Sequence, residues 1–171
     1  MIEKKKSNKN DRQQSDAKNS YTNKVYNEEE ALLLSNQLCF PLYAASRKII
    51  KLYTPILKPL NLTYTQYITL LALWEKDCQP VKSVGNRLQL DSGTLTPLLK
   101  KLEQQGLITR ERMAEDERNV LICLTEAGRQ MKQNVAEIPA RIASCVNLEL
   151  KDALELKRLL DTIMSDECQI E

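Results

Sequence analysis

Apolar residues are almost absent from residues 1–30 and then recur with a helical step. The opening stretch is dominated by Lys, Asn, Gln, Ser and Asp. It offers too little apolar surface to offset its ordering entropy, so a disordered polar tail is expected there. From Ala31 to Leu60 the positions Leu38, Leu42, Ala45, Ile49 and Leu52 follow steps of three and four, as one face of a long helix does. Pro41 suits its first turn, and Pro55 and Pro59 mark its bending or end. Thr63-Tyr64-Thr65-Gln66 has the form of a capping box, and it opens a second helix with the stripe Tyr67, Leu70, Leu71 and Trp74. That helix is expected to end near Asp77-Cys78-Gln79-Pro80.

A short helix follows, with Val81, Val84 and Leu88 inward. Asp91-Ser92-Gly93 is a turn ready to cap the next helix, which keeps Leu95, Leu98, Leu99 and Leu102 inside and Thr94, Thr96, Lys100 and Lys101 outside. Gly106 stops it in the left-handed conformation that favours glycine. Two alternating strands are predicted over 107–113 and 118–124, joined by the charged tip Ala114-Glu115-Asp116-Glu117. The C-terminal third returns to helical spacing through Met131, Val135, Ile138 and Ile142, then Ala153, Leu156, Leu160 and Ile163, with Pro139 expected to kink the first of these helices.

Helix, short helix, turn, helix and charged hairpin is the order of a winged helix-turn-helix. The fold class expected is therefore mainly α with a small β-hairpin wing, dimeric through its N- and C-terminal helices. In that layout 31–62 and 125–166 are dimerisation helices and 63–124 is a DNA-binding lobe. A major groove about 12 Å wide admits one helix with polar outward side chains. Arg110, Arg112 and Arg118 supply cations for the wing. The pattern alone leaves a non-binding scaffold open.

Composition narrows the choice further. The 171 residues contain no histidine, which removes imidazole bases, Ser-His and Cys-His nucleophile pairs and imidazole zinc sites. The four glycines form no phosphate-cradling motif. Most enzyme classes are disfavoured, and neither a cofactor nor a metal is expected. Net charge is +2, so DNA binding would depend on a few placed cations. The five cysteines, Cys39, Cys78, Cys123, Cys145 and Cys168, include no C-x-x-C pair. Free thiols in a reducing cytoplasm are expected, with no signal sequence and no membrane partner.

The run from Asp91 to Arg110 resembles the recognition helix and first wing strand of the MarR family. Asp116-Glu117-Arg118, followed by Leu124-Thr125-Glu126-Ala127-Gly128, resembles that family's wing and the opening of its next helix. Within the family, Asn36-Gln37-Leu38-Cys39-Phe40, Tyr43, Tyr53 and Leu62-Thr63-Tyr64 resemble the organic hydroperoxide resistance repressors. The likeness covers about residues 35–165. It implies that Arg118 enters the minor groove, oriented by Asp116. Ser92, Thr94, Thr96, Lys100 and Lys101 are candidates for groove and phosphate contacts, with Arg110 and Arg112 on the wing.

Cys39 is the candidate sensor. A lone helical cysteine is ordinarily a small buried hydrophobe, but this one lies near a helix start, where unpaired amides and the helix dipole favour a thiolate. Tyr43 and Tyr53, four and fourteen residues on, return to within roughly 40° of its face at about 100° per residue, and a phenol hydroxyl can donate to a thiolate. The resemblance implies that each tyrosine reaches the cysteine of the other subunit of a homodimer. It also implies that an organic hydroperoxide oxidises Cys39 and releases a pseudo-palindromic operator of double-stranded DNA. Cys145 is the candidate resolving cysteine, or else a low-molecular-weight thiol traps the sulfenic acid. Cys78, Cys123 and Cys168 are expected to be incidental. The alternatives are a regulator released by a phenolic or lipophilic ligand in the dimer cleft, and a thiol peroxidase.

Overall fold

In the computed structural model, residues 27–112 and 120–165 are described, without the side chains of Glu28 and Arg112. Residues 1–26 of the expected tail, the wing tip with Asp116 and Arg118, and Cys168 lie outside the described residues. Residues 27–30, expected to belong to that tail, instead form a capped helical turn with Ala31. The chain divides into two compact units, residues 1–48 and 49–171.

In the first unit a one-turn helix, α1 (Glu28–Ala31), is closed by a capping box between Asn27 and Glu30. A 3-10 turn at Leu34–Asn36 separates it from α2 (Cys39–Leu57), whose last residues belong to the second unit. The long helix expected from Ala31 therefore begins only at Cys39. Asn36 and Gln37 turn their side-chain amides onto the carbonyls of Glu30 and Ala31, holding the intervening chain out of a continuous α-helix.

In the second unit Pro55 lies inside α2, and a 3-10 turn at Lys58–Leu60 follows it. Helix α3 (Tyr64–Glu75) opens on the expected capping box: Thr63 Oγ1 accepts from the Gln66 amide while Gln66 Oε1 accepts from the Thr63 amide. Its buried face is Tyr67, Leu70 and Leu73; Leu71, expected inside, is exposed. After α3 come β1 (Gln79–Pro80), α4 (Val81–Leu88), α5 (Ser92–Gln104), β2 (Ile108–Arg112) and β3 (Val120–Leu124). The three strands form an antiparallel sheet in the order β1-β3-β2. The first of these strands was not expected, because two residues carry no alternation to read.

Leu95, Leu98, Leu99 and Leu102 of α5 are all buried, as their spacing requires, beside Val84 of α4, Ile108 of β2 and Ile122 of β3. Each such side chain contributes about 1.5–3 kcal/mol by leaving water. Gly106, at φ 69°, ends α5 in the left-handed region. Helices α6 (Glu126–Asn134), α7 (Ile138–Cys145) and α8 (Leu150–Ser165) complete the described chain. Pro139 does not kink a continuous helix but stands in the first turn of α7, where its missing amide costs nothing. No helix among the described residues is long and apolar enough to cross a membrane.

Candidate functional site

Asp91 sets the orientation of α5. Its carboxylate accepts from the Thr94 amide at 2.9 Å and from the Thr94 hydroxyl at 2.8 Å. The hydroxyl first, and the amide with it, hold the Asp91 carboxyl below its ordinary range. Thr94, expected to reach a groove, thus has its hydroxyl proton committed to the cap. Thr96, Lys100 and Ser92 are exposed and free to meet a ligand.

A concavity of about 700 Å³ joins the outer sides of α4, α5 and the sheet. It gathers Ser92, Thr96 and Arg110 from the sequence expectation and adds Lys82 and Asn86 of α4. The last two were missed, although their four-residue spacing on the polar face of α4 was available as a signal. Lys101 faces elsewhere, lining a smaller hollow of about 290 Å³ with Lys58, Asn61 and Thr63. Arg110 stands opposite Ile122 in the β2-β3 register, with its guanidinium 3.7 Å from Glu103. Its Nε is buried with no hydrogen-bond partner among the described residues. Arg112 ends β2.

Cys39 is the first residue of α2 and is exposed, with a free thiol. Tyr43, one turn on, is exposed and accepts a 2.6 Å hydrogen bond from Arg47, whose guanidinium lies 5.4 Å from the ring centre. Tyr53 is half-buried, with ring centres at 4.8 Å from Tyr64 and 5.8 Å from Tyr67. Burial first, then Tyr64 and Tyr67, push its hydroxyl above the usual tyrosine range, so Tyr53 keeps its proton and remains a donor. Cys145 closes α7 and is exposed and free.

One expectation fails outright. Cys78 and Cys123, read as incidental free thiols, are bonded to each other as a disulfide. Their separation of 45 residues hid the pair, which exists only because β1 aligns beside β3. Asp77 lies against it: its Oδ1 accepts from the Cys78 amide at 2.7 Å and from the Leu124 amide at 2.8 Å, and its Oδ2 from Arg129 at 2.7 Å. Burial alone would raise the Asp77 carboxyl, but these amides and Arg129 outweigh it and the net shift is downward. Asp77, Cys78 and Cys123 also bring three potential metal ligands within 4.8 Å of one another. With the sulfurs bonded and the carboxylate taken by amides and Arg129, that donor set is closed to a cation.

Comparison with known proteins agrees with this architecture. The family described as Transcriptional regulator SarA/Rot matches residues 51–135. The organic hydroperoxide resistance transcriptional regulator of Bacillus subtilis is 51% identical over 138 residues, spanning 81% of this chain and 94% of that protein. The HTH-type transcriptional regulator SarZ of Staphylococcus saprophyticus is 44% identical over 142 residues, 83% of this chain and 97% of its own. Among solved structures, reduced AbfR bound to DNA is similar with a TM-score of 0.67 and 42% identity, covering 77% of this chain and 90% of that one.

Proposed function

The chain belongs to the organic hydroperoxide resistance family of MarR-type winged-helix transcriptional regulators, and on that premise we propose that Cys39 is the residue through which it reads peroxide. The protein is a DNA-binding regulator rather than an enzyme. In its reduced state it represses by occupying its operator as a homodimer in the cytoplasm. The observation that carries the reading is the placement of Cys39: a free, exposed thiol on the first residue of a long helix.

The Cys39 thiolate attacks the outer oxygen of the hydroperoxide, and the O–O bond breaks. The alkoxide takes up a proton and leaves as an alcohol, and the sulfur, oxidised by two electrons, becomes a sulfenic acid. Condensation with a thiol, that of Cys145 or of a small molecule, then forms a disulfide and releases water. Tyr43 and Tyr53 hold the thiolate of the opposite subunit by donating to it, and loss of those contacts moves the DNA-binding lobes. Dimerisation is supported by apolar side chains left exposed in a single chain: Leu38 and Phe40 near the start of α2, and Leu154, Leu156 and Ile163 on α8.

On DNA, α5 enters the major groove with Ser92, Thr96 and Lys100. Arg110 and Arg112 supply the wing's backbone contacts, and the pair Asp116 and Arg118 reads the minor groove. Twofold symmetry of the dimer calls for half-sites about one helical turn apart.

The test is fluorescence anisotropy on the DNA upstream of the protein's own gene, with reduced wild type and Cys39→Ser, before and after equimolar cumene hydroperoxide. Binding by both proteins and release of wild type alone is the expected result. Release of both, or of neither, overturns the assignment of Cys39.

A further inference from the structure

We propose that Cys78 and Cys123 are a second redox site, a reversible dithiol–disulfide pair that ties the wing to the entrance of the helix-turn-helix. The fold itself builds the pair. Strands β1 and β3 run antiparallel with Gln79 opposite Ile122 and Pro80 opposite Leu121, so the same register carried one residue further sets Cys78 opposite Cys123. Their Cα atoms are 4.1 Å apart, near the roughly 4.5 Å of a non-hydrogen-bonded antiparallel pair. Cys78 itself turns out of the strand at φ 50°, and the adjoining ladder delivers its sulfur to that of Cys123.

Asp77 secures that opposition independently of the sulfur bond. One carboxylate oxygen holds the amide of Cys78 and the amide of Leu124, the residue that follows Cys123. Arg129 fixes the other oxygen. Access is asymmetric as well, since Cys78 is exposed and Cys123 half-buried. Cys78 thus meets an oxidant from solvent and Cys123 waits behind it.

An organic hydroperoxide is the oxidant. Attack by the Cys78 thiolate on the outer peroxide oxygen breaks the O–O bond, and the alkoxide is protonated to an alcohol. The Cys123 thiol then attacks the sulfenic sulfur, forming the S–S bond and expelling the hydroxyl as water. Two thiols and one hydroperoxide become one disulfide, one alcohol and one water. A small thiol reverses the bond by exchange, two of its molecules ending as their own disulfide.

The bond encloses β1, α4, α5 and β2, together with the wing tip. Oxidation here therefore constrains the DNA-contacting segment, whereas oxidation at Cys39 releases DNA. The pair holds the reading head together under the same oxidant that switches the dimer. This site does not depend on the role of Cys39, and a Cys39→Ser background separates the two.

The experiment takes full-length, fully reduced Cys39→Ser protein, treats it with excess cumene hydroperoxide, and follows thermal unfolding beside non-reducing peptide mapping. A Cys39→Ser, Cys78→Ser double variant is run in parallel. The expected result is an intrachain Cys78–Cys123 linkage and a rise in melting temperature of roughly 5–10 °C. Dithiothreitol reverses both, and the double variant shows neither. Thiols at 78 and 123 that remain alkylatable after peroxide, linkage of either to another cysteine, or a linkage that leaves the melting temperature unmoved would each overturn the proposal. The mapping of the single variant decides the matter even if the double variant folds poorly.

Discussion

Gly128→Ala sets helix propensity against packing at one atom. Gly128 is the third residue of α6, and on propensity alone alanine there gains about 1 kcal/mol. The position is crowded, however. A Cβ would overlap the carbonyl oxygen of Leu107, with the Leu107 carbonyl carbon at 3.1 Å and Leu124 Cδ2 at 3.2 Å. The obstacle is backbone, and it is already engaged: the Leu107 oxygen accepts the Thr125 amide at 3.1 Å. Forcing α6 away costs about 1–3 kcal/mol as overpacking. It also weakens the Thr125 hydrogen bond, worth about 1 kcal/mol, and draws the Gly128 carbonyl from the Trp74 indole N–H that donates to it at 2.9 Å. The balance is a loss of roughly 2 kcal/mol, or a melting temperature lower by about 4–8 °C in a chain of this size. Gly93→Ala is the comparison. Its added methyl meets only Asp91 Oδ1 at 3.0 Å, a side-chain atom whose clash a shift of a few tenths of an ångström relieves. That atom caps α5 through the Thr94 amide, however, so the helix gain is largely offset and the change is near neutral. Thermal unfolding followed by circular dichroism on both variants measures the contrast. A Gly128→Ala protein that melts at or above wild type would refute the reasoning, because it would mean that α6 can shift at no cost.

Two further outcomes follow from named contacts. The folded-state pKa of Asp77 lies below its ordinary value, so its stabilisation is fully present above about pH 4 and is lost as pH falls through the lower folded value. Asp77→Asn should therefore lower stability at neutral pH, by about 1 kcal/mol because Arg129 is half-exposed, and flatten the acid side of the stability profile. Urea unfolding from about pH 3 to pH 7 checks both, and an unchanged acid slope would contradict the assignment. On DNA, Lys100→Ala should weaken binding at low salt and reduce the slope of log K against log salt by about 0.9, the loss of one phosphate contact. Anisotropy titrations at several salt concentrations read that slope, and an unaltered one would remove Lys100 from the interface.

Much of the fold is legible where local chemistry decides it. The four leucines of α5, the Thr63 capping box and Gly106 each announce their conformation within a few residues, and the structure places them accordingly. What escaped reading depends on partners far along the chain. β1 exists because Gln79 and Pro80 find β3 more than forty residues later, and no alternation in two residues could reveal it. The Cys78–Cys123 bond is hidden for the same reason. Leu71 and Leu73 lie two positions apart on one helix, and only the neighbours present in three dimensions decide that Leu73 is the buried one. The late start of α2 turns on the side-chain amides of Asn36 and Gln37, which capture carbonyls that a helical reading would have assigned to the backbone. At the candidate site, the outward residues of α5 were readable from spacing. Their separation into Ser92 and Thr96 on one hollow and Lys101 on another was not.

Trp74 has a use that its structural role does not suggest. It is the single tryptophan of the chain, half-buried, with its indole N–H held by the carbonyl of Gly128 on α6. Excited at wavelengths that the six tyrosines do not absorb, the protein thus reports from one tryptophan, seated where α6 docks on the lobe that contains α5. Its emission shifts to longer wavelength when water replaces the Gly128 carbonyl. The docking of α6 can be followed in real time, without a label, while peroxide is mixed with the DNA-bound protein.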